Sequence, residues 1–238
     1  MPALLLAGHG SSRGGVASLP IRTNAQSIRK MGVFDEVHTA FWKEEPRLRG
    51  ALERIESTEV AVVPFFMAEG WYTRTVVPRE LGLGSTLGRK DVYYARPIGA
   101  HEGVADLALA RIDEAMPPHF ESGRTAVLIV GHGTGRSHAS GATTEATAEA
   151  VRSRRRYATV ATAFLDQVPT LTSALESLAG RDIVVVPFFA SDGEHVRHDV
   201  ARLAGARRAV CAQAVGTHAG VASIIVALAR EAPWAPST

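Results

Sequence analysis

Residues 182–200, DIVVVPFFASDGEHVRHDV, place Asp192, Glu194, His195, His198 and Asp199 within eight positions. Imidazole nitrogens and carboxylate oxygens are the donors that hold divalent cations of intermediate softness. Imidazole also titrates near neutrality and can take a proton from a reacting group. Three further stretches carry residues of the same kind. Gly131-His132-Gly133 sets a histidine between glycines, and its counterpart Gly8-His9-Gly10 opens the chain. Asp166 lies in Ala163-Phe164-Leu165-Asp166-Gln167-Val168-Pro169, and His101 and His218 each stand two residues before a glycine. Less specific roles compete at each position. Asp166 could cap a following helix, and Glu194 and Asp199 could be acids favoured at a helix start. His198, one turn past His195, could line the same helix edge. His101 and His218 fit a structural or cleft-lining role, because both copies keep them.

These residues need elements to position them, and the chain supplies the elements twice. Gly8-His9-Gly10 recurs as Gly131-His132-Gly133, Val62-Val63-Pro64-Phe65-Phe66 as Val185-Val186-Pro187-Phe188-Phe189, and Ala40-Phe41 as Ala163-Phe164. Arg13 matches Arg136, Pro46 matches Pro169 and Gly70 matches Gly193, all 123 positions apart. Gly99-Ala100-His101 matches Gly216-Thr217-His218 at 117, so the second copy lacks six residues between its third and fourth segments. The reading is two repeats, 1–118 and 124–238. In each, short β-branched runs alternate with amphipathic segments. Strands are expected at 3–7, 36–41, 60–65 and 92–97, and at 126–130, 158–164, 182–188 and 208–214. Helices are expected at 16–31, 46–56, 75–82 and 103–115, and at 141–153, 169–179, 196–204 and 219–231, with Pro46 and Pro169 in first turns. The fold class is α/β: two similar half-domains related by a pseudo-two-fold, each a parallel four-stranded sheet flanked by helices. In such sheets ligands sit past the carboxyl ends of the strands, where these histidines and acids fall.

Composition narrows the classes. The 238 residues are 46% hydrophobic and 21% charged, with a formal net charge of +2. That balance permits an anionic ligand but lacks the strong basic patch of a nucleic-acid binder, so no nucleic-acid partner is expected. No apolar run reaches the roughly 18 residues of a membrane span, and Met1 to Ala7 lacks a basic n-region. The expectation is a cytoplasmic protein without a membrane partner, monomeric or homodimeric. The single cysteine, Cys211, excludes an internal disulfide or a multi-cysteine metal site within one chain. Neither glycine loop has the Gly-Lys-Ser/Thr of a P-loop or fits Gly-x-Gly-x-x-Gly, so no nucleotide cofactor is expected. Arg13, Arg74, Arg136 and Arg197 lie near the loops and suit carboxylates. The run Arg152, Arg154, Arg155, Arg156 closes a helix and reads as a solvated face.

An apolar strand entering Gly-His-Gly-Ser/Thr, then Ala-Phe-x-Asp before Pro, then Val-Val-Pro-Phe-Phe-x-x-x-Gly-x-His-x-x-x-Asp resembles the sirohydrochlorin chelatases of the class II cobaltochelatase/ferrochelatase superfamily. The resemblance covers both halves. It implies two parallel-sheet domains facing each other across a cleft. The implied reaction is ATP-independent insertion of Co²⁺ or Fe²⁺ into sirohydrochlorin or a related carboxylate-rich tetrapyrrole, in cobalamin or sirohaem synthesis. It assigns His132, Asp166 and His195 to the metal, with His132 and His195 catalytic. Two imidazoles and a carboxylate hold an ion loosely enough for transfer and leave positions open for pyrrole nitrogens. Arg13, Arg136 and His9 are then expected to hold the substrate. The sequence departs from the pattern in two ways. The first half has Lys43 and Tyr72 where the second has Asp166 and His195, and the acid is Asp rather than the longer Glu. Two other functions stand beside this one: a non-catalytic carrier of tetrapyrrole or metal, and a metal-dependent hydrolase.

Overall fold

The computed structural model describes residues 2–12, 15–83, 90–134, 139–193, 200 and 209–233. It contains two four-stranded, all-parallel sheets. The first comprises β1 (Ala3–Gly8), β2 (Val37–Phe41), β3 (Glu59–Pro64) and β4 (Asp91–Tyr94), in the order β2-β1-β3-β4. The second comprises β5 (Ala126–Gly131), β6 (Thr159–Phe164), β7 (Ile183–Pro187) and β8 (Ala209–Cys211), in the order β6-β5-β7-β8. The central strands β1 and β5 read ALLLAG and AVLIVG and are buried at every residue. Apolar side chains on both faces are what a parallel strand covered on both sides requires.

The registers repeat as the sequence does. Leu4 pairs with Val37 and Val127 with Val160, both at an offset of 123. Val60 pairs with Val92, whereas Ile183 pairs with Ala209, so the fourth strand carries the six-residue deletion. In both sheets the chain leaves the central strand to one side and returns to the other. That makes a switch point between β1 and β3 and another between β5 and β7, where the loops past the strand ends diverge.

The helices are α1 (Leu19–Met31), α2 (Val77–Leu81), α3 (Val104–Ala115), α4 (Ala139–Ser153), α5 (Leu171–Ser177) and α6 (Val221–Glu231). The expected helix over 46–56 is instead a loop with a short 3-10 turn, Leu52–Arg54. Its start is taken up by pairing to β2: Phe41 N–H donates to Pro46 O, and Leu48 N–H to Phe41 O. Backbone groups bound to the strand are unavailable to a helix, so Pro46 does not occupy a first turn. Pro169 likewise precedes its helix, accepting from Phe164 N–H while Thr170 caps α5. The expected helix over 75–82 begins as a π-helical turn, Tyr72–Val76, before α2. The helix expected at 196–204 falls outside the described residues except for Val200.

The compact units are residues 1–101 with 219–238, and residues 102–218. The repeats and the compact units therefore divide the chain differently, by one helix each. In the second unit α3 packs on β7 and α4, and in the first α6 packs on β3 and α1. Charge helps seat α3: Arg154 pairs with Asp106 at 2.9 Å and Arg156 with Asp113 at 2.7 Å. Two members of the basic run, in the segment just past α4, thus tie to α3 rather than form only a solvated face. Buried Arg111 of α3 donates to Gln213 Oε1 and Thr217 Oγ1 past β8. Among the described residues, no helix is long and apolar enough to cross a membrane.

Candidate metal and substrate site

In each unit the histidine loop continues the ladder beyond the strand. Trp42 N–H donates to Gly8 O and Lys43 N–H to His9 O; in the second unit Asp166 N–H donates to His132 O at 3.0 Å. These bonds hold residue 43 beside His9 and Asp166 beside His132. Gly10 and Gly133 then turn the chain at φ +67 and +68. A Cβ at Gly133 would stand 2.7 Å from Gln167 Cβ and 2.9 Å from Phe164 Cβ, so both space and backbone call for glycine.

The second-unit site is open. His132 Nδ1 lies 3.3 Å from Asp166 Oδ2, with side chains 54% and 62% exposed. It also lies 3.3 Å from Gly133 O. With its proton on Nδ1, the imidazole faces two acceptors and presents Nε2 as its lone-pair nitrogen. Without that proton, Nδ1 and Oδ2 stand at a separation that two donors to one divalent ion adopt, each about 2.1 Å from it. Asp166 does not cap α5, because Thr170 Oγ1 accepts from Ser173 N–H there. Phe189 lies 6.4 Å from the His132 ring, centroid to centroid. Asp192 is a structural acceptor for Ala214 N–H at 2.8 Å. Burial, then the nearby Asp192 charge, pushes the Cys211 thiol up to about 11, so without a bound metal it is a neutral thiol at neutral pH. Among the described residues no three His, Cys, Asp or Glu side chains form a metal cluster. His195, Arg13, Arg136, Arg197, His198, Glu194 and Asp199 lie outside the described residues.

The first unit differs in kind. Unlike the exposed His132, His9 is half-buried against aromatic rings. Trp42 and Tyr72 each stand edge-on to it at 5.2 Å. Tyr72 also meets Trp42 at 5.3 Å, stacks with Phe66 at 5.9 Å and meets Trp71 at 5.2 Å. Lys43 Nζ sits 4.6 Å from the Trp42 ring centroid. Tyr72 and Lys43 stand out in the sequence as departures from the second half, whereas Trp42, Phe66 and Trp71 were missed there. The available signal was Trp42 immediately after β2, and Phe66, Trp71 and Tyr72 in the segment after β3. His101 closes a 3-10 turn after β4, and His218 Nε2 lies 3.6 Å from Glu114 Oε1 of α3.

Glu44 fastens the His9 loop. It accepts from Ser11 N–H at 3.2 Å, Ser18 Oγ at 2.8 Å and Arg22 Nη2 at 2.9 Å. Burial would raise its pKa, but hydrogen bonds from Arg22, Ser18 and the Ser11 amide outweigh it and hold the carboxyl below its ordinary value. The second unit uses neutral Gln167, which accepts from Thr134 N–H at 3.5 Å. A depressed folded-state pKa contributes stability above the unfolded value, and that stability is lost as pH falls through the folded one. Glu44→Gln is therefore expected to cost about 1 kcal/mol at pH 7, discounted for the partly exposed Arg22. Denaturant titrations at falling pH should show the gap closing below the ordinary glutamate pKa. A gap independent of pH would show that the charge is not what holds the loop.

Fold and site together define a class: parallel α/β units with ligand-type residues at a switch point. DR2241 from Deinococcus radiodurans, described as a multi-domain protein with structural similarity to chelatases, superposes with a TM-score of 0.85 at 30% identity. The match covers 97% of this chain, which spans 55% of that one. SirB from Bacillus subtilis, solved with Fe³⁺, shares the fold at a TM-score of 0.80 and 21% identity, covering 97% of this chain and 95% of that one. The chain belongs to the CbiX family, whose model matches residues 3–115 and again 126–232. A probable sirohydrochlorin cobaltochelatase of Halobacterium salinarum is 36% identical over 220 residues, 84% of this chain and 75% of that protein.

Proposed function

We propose that the protein is a lyase that inserts Co²⁺ or Fe²⁺ into sirohydrochlorin, or a closely related carboxylate-rich tetrapyrrole, without ATP. The observation that carries this reading is the His132–Asp166 pair, 3.3 Å apart at the open end of β5 and β6, in a chain of the CbiX family. The metal is a substrate here. Exposed nitrogen and oxygen donors without thiolate hold a divalent ion weakly enough to surrender it.

His195 completes the proposed donor set. Support comes from the repeat: its counterpart Tyr72 stands 5.2 Å from His9, the counterpart of His132. An imidazole at that position would bring a second nitrogen to the same strand ends. Insertion releases two pyrrole protons, and an imidazole not engaged with the ion is a suitable acceptor. Arg13 and Arg136, which follow β1 and β5 in sequence, would hold peripheral carboxylates, since guanidinium forks match that geometry. His9, hemmed in by Trp42 and Tyr72, would help position the macrocycle rather than hold metal.

The test is spectroscopic. Sirohydrochlorin is mixed with catalytic protein and excess Co²⁺ or Fe²⁺, and the absorption change of metallation is followed. Multiple turnovers above the uncatalysed rate are expected. A change that stops at one equivalent of protein would favour a carrier. Phosphoester or amide turnover without any tetrapyrrole would favour a hydrolase. The faster of the two metals identifies the preferred ion.

A further inference from the structure

The first unit puts five rings at the ends of three adjacent strands. His9 follows β1, Trp42 follows β2, and Phe66, Trp71 and Tyr72 follow β3. Their counterparts in the second repeat are His132, Leu165, Phe189, Glu194 and His195. The first unit thus carries indole rings where the second has Leu165 and Glu194, and a phenol where it has His195. A cluster serving only packing would be covered. Trp71, however, is 59% exposed although one edge is fixed against Tyr72.

The platform beneath Trp71 is rigid. Gly70 N–H donates to Thr73 Oγ1, which donates back to Gly70 O. Tyr94 Oη donates to Thr73 O at 2.6 Å. Tyr72 opens the π-helical turn, a feature frequent at functional sites. Rings held in this way lose little freedom on binding a flat ligand.

The charges select the ligand's sign. An aromatic cluster can cradle a cation, but the Trp42 face already holds the Lys43 ammonium. Glu69 is engaged by Arg74 at 2.5 Å. What the cluster offers outward is aromatic surface beside an exposed ammonium.

We propose that this cluster is a binding face for a planar, carboxylated macrocycle, with Trp71 stacking on the ring system and Lys43 meeting a peripheral carboxylate. The inference rests on the chelatase reading and adds to it the side chains of the first unit that would meet the macrocycle. It is tested by titrating sirohydrochlorin against the intact protein with EDTA present, following the macrocycle's own absorbance. Trp71→Ala should raise Kd about tenfold, the scale of one aromatic contact plus its buried area. Trp71→Phe, which keeps a ring, should recover most of that loss and so separates stacking from misfolding. Lys43→Glu should raise Kd as well, with an effect that shrinks as salt rises. A wild-type Kd in Trp71→Ala overturns the proposal, and a wild-type Kd in Lys43→Glu overturns its carboxylate contact. If the unmodified protein inserts metal while Trp71→Ala binds normally, this inference fails alone. If the unmodified protein does not bind the macrocycle, the chelatase reading fails with it.

Discussion

His132→Ala is expected to lower the rate of metal insertion more than about 100-fold, since altering even the outer shell of a metal site costs 10–100-fold. His132 is mostly exposed, so the substitution leaves no cavity and stability should barely change. The loss is chemical: the imidazole facing Asp166 disappears, and the two remaining proposed donors hold a divalent ion poorly. His195→Ala is expected to match it, because the proposed donor set has only two imidazoles. Asp166→Ala should cost less, on the order of tenfold, as water can replace a carboxylate oxygen on the ion. Rates measured at saturating macrocycle, with the metal concentration varied, separate these cases. Near-wild-type turnover in His132→Ala would remove that residue from the site.

The second large effect is a gain. Lys43 N–H donates to His9 O as Asp166 N–H does to His132 O, so side chains at 43 and 166 leave equivalent strand-end positions. Tyr72 stands beside His9 where the repeat places a histidine in the second half. Lys43→Asp combined with Tyr72→His should therefore give the first unit its own donor set. Adding Trp42→Leu, the residue type of position 165, should tighten it by uncovering His9. The expected result is a second Co²⁺ bound per chain, read by titration with the ion's visible bands. A stoichiometry unchanged by all three substitutions would mean that more than these side chains distinguishes the halves.

Much of this site was legible because strand ends announce themselves. Val62-Val63-Pro64 and Val185-Val186-Pro187 are buried runs stopped by proline, and a parallel sheet puts the loop after each run at the ligand edge. The repeat aligned His9 with His132 without coordinates, and the registers agree with that alignment. Other features depended on contacts between distant residues. Hydrophobic spacing over 46–56 could not show that Pro46 and Leu48 bond back to Phe41. The apolar face of α3, including Val104, Ala108 and Ile112, fits a sheet of either repeat, so its place on β7 was not readable. Trp42 is an ordinary residue in sequence, and only the strand order brings its ring to Tyr72.

The central claim is that one of two equivalent strand-end positions works with metal and the other does not. Co²⁺ titration of the intact protein, without macrocycle, tests it most directly. His9→Ala should bind one Co²⁺ per chain with the wild-type spectrum, and His132→Ala should bind none in the same concentration range. Equal loss of the ion in both variants would contradict the account.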